Sequence, residues 1–355
     1  MDMIDARDND LRMIRDSVGA IVSSGDLSRV RALRFTSPGA TRAVWDEAAQ
    51  MGWVGLRLPE DQGGAGLGMD AFCVLAEELG RGLVPEPLIH AALSARLVDG
   101  APLDDLLTGR SIVLPAWQES AGALHDEGGA VFQDGKLTGR KVFIPMAAMA
   151  DAFAVTVPEG CVLVRADAPG VTLQTALTQD GGHFGTLDLN GVAGMFFPLS
   201  KQCLDAALDE TTLAISAYLL GVMDQALALT LDYLRTRKQF GRAIGTFQAL
   251  QHKAVDLKIQ IALTRASIRH AASSIDSAAP LAQLRAAVSR AKARAAEAAM
   301  LVTRQAIQLH GAIGYTDEAN IGLYLRKAMV LANINGSPAA HRARFDALLP
   351  EADHE

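Results

Sequence analysis

Three long runs of regularly spaced apolar residues dominate the C-terminal part of this chain and restrict what it can fold into. Leu213, Ala217, Leu220, Leu227, Leu231 and Leu234 mark one stripe, and Leu250, Ala254, Leu257, Ile261 and Ile268 a second. After Pro280, Leu284, Val288, Ala291, Ala295, Ala298, Val302 and Leu309 mark a third. Spacings of three and four residues place each set on one face of an α-helix, and such faces are stable only when buried against one another. A shorter stretch at Ile321 to Val330 supplies a fourth member, so residues 201–355 are expected to form a four-helix bundle. Alanine-rich seams permit close helix approach, and Gly311 stands where the third helix should stop.

The remainder divides by texture. Residues 1–110 read mostly as helices, with apolar periodicity at Val44 to Ala48, Ala71 to Leu79 and Leu88 to Leu97. The run L-P-E-D-Q-G-G-A-G-L-G at Leu58 to Gly68 is read as a turn, because a dinucleotide fingerprint needs a preceding strand and a G-x-G-x-x-G spacing that is not present. Residues 111–200 carry short alternating runs at Ala152 to Val157, Cys161 to Val164 and Gly185 to Val192, separated by Gly, Pro and Asp, which read as a compact β unit. The expected class is α+β: an N-terminal helical domain (1–110), a small β-barrel-like middle domain (111–200) and the C-terminal bundle (201–355).

Composition excludes several functions. A formal net charge of −7 argues against a general nucleic-acid-binding surface. The chain has no uninterrupted run of about 20 apolar residues, so no membrane span is expected. An N-terminus bearing Asp2, Asp5, Asp8 and Asp10 lacks the basic start of a secretion signal, and a cytoplasmic location is expected. Cys73, Cys161 and Cys203 form no C-x-x-C pair; no metal site or disulfide framework follows, and all three are read as small buried residues.

Two motifs carry chemistry. R-K-Q-F-G at Arg237 to Gly241 falls between the first two bundle helices, where a guanidinium fork suits a phosphate or pyrophosphate and Phe240 can lie against an aromatic ring system. Q-L-H-G-A-I-G-Y at Gln308 to Tyr315 closes the third helix. Together with the order of domains and the P-E-x-x-G-G-x-G run at Pro59 to Gly66, they resemble the acyl-CoA dehydrogenase family over essentially the whole chain. The resemblance implies that Arg237, Gln239 and Phe240 contact the pyrophosphate and adenine side of a neighbouring subunit's FAD, with Gln308, Gly311 and Ala312 lining the same cofactor. Gly311 and Ala312 would let backbone approach the ligand closely.

Other family positions are altered. The family's T-E-P-x-x-G-S-D is matched by W-Q-E-S-A-G-A-L at Trp117 to Leu124, losing both hydroxyls to Trp117 and Ala123. W-I-T-N-G is matched by F-I-P-M-A at Phe143 to Ala147, where Pro145 replaces a hydroxyl and removes a backbone donor. Y-E-G-T-x-Q becomes I-N-G-S-P-A at Ile334 to Ala339, so Asn335 stands where the resemblance expects the glutamate base. An amide cannot accept the α-proton of a thioester.

Some members carry the base on the first bundle helix, at a position matching Thr211, with Glu210 one residue away and rotated by about 100°. Glu210 is the fallback base, although Asp209 and Glu210 are read first as acidic residues at a helix N-terminus. His310 and His341 are read as packed or solvated.

The resemblance therefore implies a subunit of an FAD-dependent enzyme that desaturates an acyl-CoA. This subunit would lack the base, share FAD across an interface with a homologous catalytic subunit, and belong to the short type of α2β2 assemblies in bacterial steroid degradation. Electron-transferring flavoprotein is the acceptor the family implies. Two other readings stay open: a self-sufficient homo-oligomer using Glu210, and a non-redox scaffold of the same fold.

Overall fold

A computed structural model describes residues 3–22, 25–125 and 128–348. The N-terminal helices are α1 (Met3–Ile21), α2 (Ser28–Leu33), α3 (Arg42–Gln50), α4 (Met69–Arg81), α5 (Leu88–Ser94) and α6 (Ala101–Leu107). Strands follow: β1 (Val113–Ala116), β2 (Val131–Gln133), β3 (Lys136–Pro145), β4 (Ala152–Val157), β5 (Gly160–Arg165), β6 (Val171–Leu177), β7 (His183–Ala193) and β8 (Met195–Pro198). The chain then forms α7 (Lys201–Thr236), the short pair β9 (Lys238–Gln239) and β10 (Arg242–Ala243), and α8 (Gln248–Asp276), α9 (Leu281–His310), α10 (Ile321–Leu331) and α11 (Pro338–Leu348). The α+β class and the element order match the sequence expectation.

The described residues gather into two compact units, each discontinuous in sequence. One contains residues up to Leu27, Cys73–Val84 and everything from Thr212; the other contains Ser28–Phe72 and Pro85–Thr211. In the second unit the β segment resolves into two four-stranded sheets, ordered β1-β4-β5-β8 and β2-β3-β7-β6. Only β1 and β4 pair in parallel; the other neighbours are antiparallel. β4, read from sequence as alternating, is buried at every position, in keeping with its apolar residues at all places but Thr156, whereas β7 alternates, with Leu187 and Leu189 inside.

The first unit is the bundle. α9 is its axis and packs against α8, α10 and α11. The expected fourth member is therefore joined by a further helix, α11, which has no apolar stripe: His341 is its one buried residue. α4 and α7 approach backbone to backbone. A Cβ on Gly221 would lie 1.9 Å from the Glu77 carbonyl oxygen, and one on Gly80 would lie 2.1 Å from that of Tyr218, so only glycine fits at either position.

Beside this crossing, Glu77 accepts hydrogen bonds from Arg81 (3.1 Å) and Arg265 (2.7 Å), and both arginines also bind Asp224. Burial alone would raise the Glu77 carboxyl, but the two guanidiniums hold it below its usual range.

Two local expectations are corrected, the place of Asp209 and Glu210 and the burial of Cys203. α7 starts at Lys201, where the Ser200 hydroxyl accepts the Cys203 N–H at 3.2 Å, so Asp209 and Glu210 lie well inside the helix rather than at its N-terminus. Cys203 is exposed, unlike buried Cys73 and Cys161. α7 is long and apolar enough to cross a membrane by length and composition, but 78% of its most apolar window is buried within the protein, as in a core helix.

Candidate cofactor and active site

The R-K-Q-F-G motif forms a small hairpin. β9 and β10 pair through Gln239 and Arg242, and the turn places Phe240 and Gly241 at φ +52° and +77°. Phe240 is 90% exposed and meets Phe247 edge to face at 6.1 Å, while the Arg242 guanidinium lies 4.2 Å from the Phe247 ring centroid. A large aromatic ring held outward at positive φ is an uncommon arrangement, and it leaves one ring face available to a partner or ligand. Arg237, Gln239 and Gln308 are exposed. Their side chains make no hydrogen bond or ion pair among the described residues.

The second motif follows α9. Gly311 adopts φ +67°, with nothing within 4 Å of where its Cβ would be, and Ala312, Ile313 and Tyr315 are exposed beside it. His310 is buried: burial lowers its pKa, Nδ1–H donates to the Ala306 carbonyl at 2.8 Å, and the ring stacks on Tyr233 at 4.6 Å. Open donors, an exposed aromatic ring and an uncrowded glycine fit one side of a large anionic aromatic cofactor such as FAD.

The β unit offers less. Trp117 is buried, and its carbonyl accepts from Lys141 Nζ at 3.3 Å. Lys141 is wholly buried on β3; it also binds Glu119 at 2.6 Å and the Thr156 hydroxyl at 3.1 Å. The Glu119 carboxylate further accepts the Gly129 and Ala130 N–H groups, and the Gln118 carbonyl accepts that of Val142. The polar groups of this segment are thus spent on the unit's own scaffold. Pro145 sits in β3 opposite Phe184, and Phe143 (φ +55°) meets Phe184 edge to face at 6.0 Å. These residues do not fit the family's hydroxyl-lined flavin contact.

Neither candidate base is a free carboxylate. Asn335 is 5% exposed at φ +55° and donates from Nδ2 to the Thr212 hydroxyl at 3.3 Å. Its carbonyl accepts from His341 Nε2 at 2.7 Å, and the Ser289 hydroxyl lies 3.4 Å from the other ring nitrogen. Nearby, Lys292 donates to the Leu331 and Ala332 carbonyls at 2.7 and 3.2 Å, closing the C-terminal end of α10. Burial pushes Lys292 down to about 7 and His341 to about 4.

In the other unit, Glu210 receives hydrogen bonds from Arg57 at 2.9 and 3.4 Å and has Arg96 at 3.9 Å. Thr211, one residue on, is buried with its hydroxyl on the Ala207 carbonyl. Among the described residues no cluster of His, Cys, Asp and Glu could hold a metal ion. Arg57, Lys141, Lys292 and Tyr233 were not singled out from sequence, because their partners are far along the chain and no local motif marks them.

Comparison with known proteins gives the family and the fold. Residues 8–99 match the acyl-CoA dehydrogenase N-terminal domain and residues 202–346 the acyl-CoA dehydrogenase C-terminal domain. The acyl-CoA dehydrogenase IpdE2 of Mycolicibacterium smegmatis is 30% identical over 344 residues, covering 94% of this chain and 97% of that protein. IpdE2 of Mycobacterium tuberculosis is 28% identical over 344 residues, covering 95% of this chain and 96% of its own. Among solved structures, a variant of the Tcur3481-Tcur3483 steroid ACAD has 30% identity and a TM-score of 0.84, with both chains fully covered. A chain of the ChsE4-ChsE5 complex from Mycobacterium tuberculosis has 25% identity and a TM-score of 0.84, again with full coverage of both.

Proposed function

Because this chain belongs to the acyl-CoA dehydrogenase family, we propose that it is the half-site subunit of a heteromeric, FAD-dependent enzyme that forms an α,β double bond in an acyl-CoA. The observation that carries this reading is an asymmetry. The bundle presents unspent donors at Arg237, Gln239 and Gln308 beside exposed Phe240, while the β segment has turned its polar groups inward on Lys141 and Glu119. This chain gives contacts to a cofactor and does not build the receiving half.

When bound, FAD supplies the hydride acceptor. Arg237 would hold the anionic cofactor through charge-assisted hydrogen bonds, Gln239 and Gln308 would add neutral ones, Phe240 would cover an apolar part, and Gly311 and Ala312 would admit close backbone approach. The proton acceptor comes from a homologous partner subunit. Asn335 cannot take a proton, and Glu210 is committed to Arg57. The similarity to a two-component steroid ACAD and to the ChsE4-ChsE5 complex supports a heteromer acting on a bulky cyclic acyl-CoA; the proposed assembly is α2β2 with one FAD per two chains. Electron-transferring flavoprotein is the proposed acceptor and the cytoplasm the proposed location. The exposure of Val255, Ile259 and Leu263 on α8, each about half exposed and one turn apart, supports a partner contact on that helix.

The test is the visible spectrum of the chain purified alone and after co-expression with a longer homologue that retains T-E-P-x-x-G-S-D and the glutamate. A colourless isolated chain and about one FAD per two chains in the complex are expected. About one FAD per chain in the isolated protein would overturn the half-site reading in favour of a homo-oligomer.

A further inference from the structure

Arg237 follows α7 and the Gln308 to Ala312 segment closes α9, so they can serve one ligand only if the ends of α7 and α9 are held at a fixed separation. Among the described residues, a ring stack links those ends. Tyr233 lies on the last turn of α7, and its carbonyl accepts the Arg237 N–H at 2.8 Å. His310 is the last residue of α9, directly before Gly311. Their rings stack with centroids 4.6 Å apart and planes inclined by 20°.

The imidazole is itself anchored. It is 8% exposed, and Nδ1–H donates to the Ala306 carbonyl one turn back, which fixes the tautomer and the ring plane. From Tyr233 the chain reaches the hairpin in four residues, and the Ile244 N–H closes back on the Arg237 carbonyl at 2.8 Å. Displacement of the Tyr233 ring would therefore be felt at Arg237.

Resting on the half-site reading above, we propose that His310 is a positioning residue for the shared FAD: its stack on Tyr233 clamps the arginine hairpin to the glycine-bearing end of α9 and pre-organises a surface that otherwise consists of two independent helix ends. His310 touches no ligand in this scheme. It acts through Tyr233, and what the fold requires of it is a flat ring rather than a base.

Ring replacement separates this role from simple core packing. FAD affinity is measured by flavin fluorescence in the complex with the partner subunit, and amide exchange over residues 238–243 is measured in the same preparations. His310→Ala should weaken FAD binding about three- to tenfold, the range that an aromatic pair supports, and speed exchange in the hairpin. His310→Phe should restore both. Tyr233→Leu should match His310→Ala, with the double variant no worse than either single one, as expected of residues acting through one contact.

Arg237→Ala is the control for the underlying reading. If it weakens FAD binding while His310→Ala leaves binding and exchange at wild-type values, the clamp is overturned and the half-site stands. Additive losses in the double variant would also overturn the clamp. If Arg237→Ala has no effect on FAD either, the half-site reading fails and takes the clamp's proposed role with it.

Discussion

Arg57 and Glu210, 153 residues apart in sequence, form a fork in which two guanidinium nitrogens meet the two carboxylate oxygens at 2.9 and 3.4 Å. Their side chains are 17% and 12% exposed, so solvent screens the pair only weakly. The carboxylate adjacent to the family's alternative base position is thereby engaged as an acceptor by a permanent cation. Glu210→Gln should leave turnover of the assembled enzyme within about twofold while lowering stability by about 2 kcal/mol, because Arg57 loses a charge-assisted partner. Steady-state rates and urea midpoints measured on the same preparations check both halves, and a turnover loss of a hundredfold or more would return Glu210 to the role of base.

A carboxylate at the other family position should not create a base. Asn335 lies at φ +55° in a buried network with Thr212 and His341, and a longer ionised side chain there would be strained at that backbone angle and partly desolvated. Asn335→Glu is expected to cost about 2 to 4 kcal/mol in the chain alone and to give no dehydrogenation without a partner. Thermal unfolding and a dye-reduction assay with acyl-CoA substrates read the two outcomes.

How much of this was legible beforehand depended on the range of each interaction. The helical stripes of α7, α8 and α9 report burial every three or four residues, so local spacing was sufficient. α11 was missed because only His341 is buried on it. Asp209 and Glu210 mimic the acidic start of a helix, whereas the hydroxyl that caps α7 belongs to Ser200, nine residues before Asp209. The two flavin motifs were readable as contiguous strings. Lys141 with Glu119, Arg57 with Glu210 and Tyr233 with His310 were not, since each pair is created by folding and neither member is unusual in its own neighbourhood.

Lys292 should set a pH dependence of stability. Its folded-state pKa is lowered from 10.5 to about 7 by burial, so between those values the unfolded chain binds more protons than the folded one. Stability from this group is therefore complete above about 10.5 and is lost as pH falls toward 7, with a limiting slope of about 1.4 kcal/mol per pH unit. Lys292→Met should flatten the rise in unfolding free energy between pH 7.5 and about 9.5, at the expense of the hydrogen bonds to Leu331 and Ala332. Denaturant titrations across that range measure the slope directly.

The close crossing of α4 and α7 predicts a severe effect from a single methyl group. At Gly221 an added Cβ would sit 1.9 Å from the Glu77 carbonyl oxygen, which is backbone and cannot rotate away. Gly221→Ala should therefore destabilise by about 3 kcal/mol, against the gain of up to about 1 kcal/mol that alanine brings to an unconstrained helix interior. Separating the helices would also disturb Glu77 between Arg81 and Arg265, so the variant should lose part of its stability to salt-sensitive contacts.

The uncovered face of α8 gives the most direct test of assembly. Val255, Ile259 and Leu263 follow one another at four-residue spacing and are 56%, 48% and 50% exposed, with exposed Ala262 and Ala266 on the same stripe. Small residues between larger ones allow another helix to approach closely. A charge at the centre of such a contact would have to be desolvated without a partner, whereas in the free chain it remains in water. Ile259→Glu should therefore leave the thermal stability of the isolated chain within about 0.5 kcal/mol of wild type and weaken association with a second subunit at least a hundredfold. Sedimentation of the isolated and co-expressed proteins distinguishes the cases: unaltered assembly of Ile259→Glu would show that the partner sits elsewhere, while loss of assembly together with loss of bound flavin would tie the α8 face to the cofactor shared at Arg237.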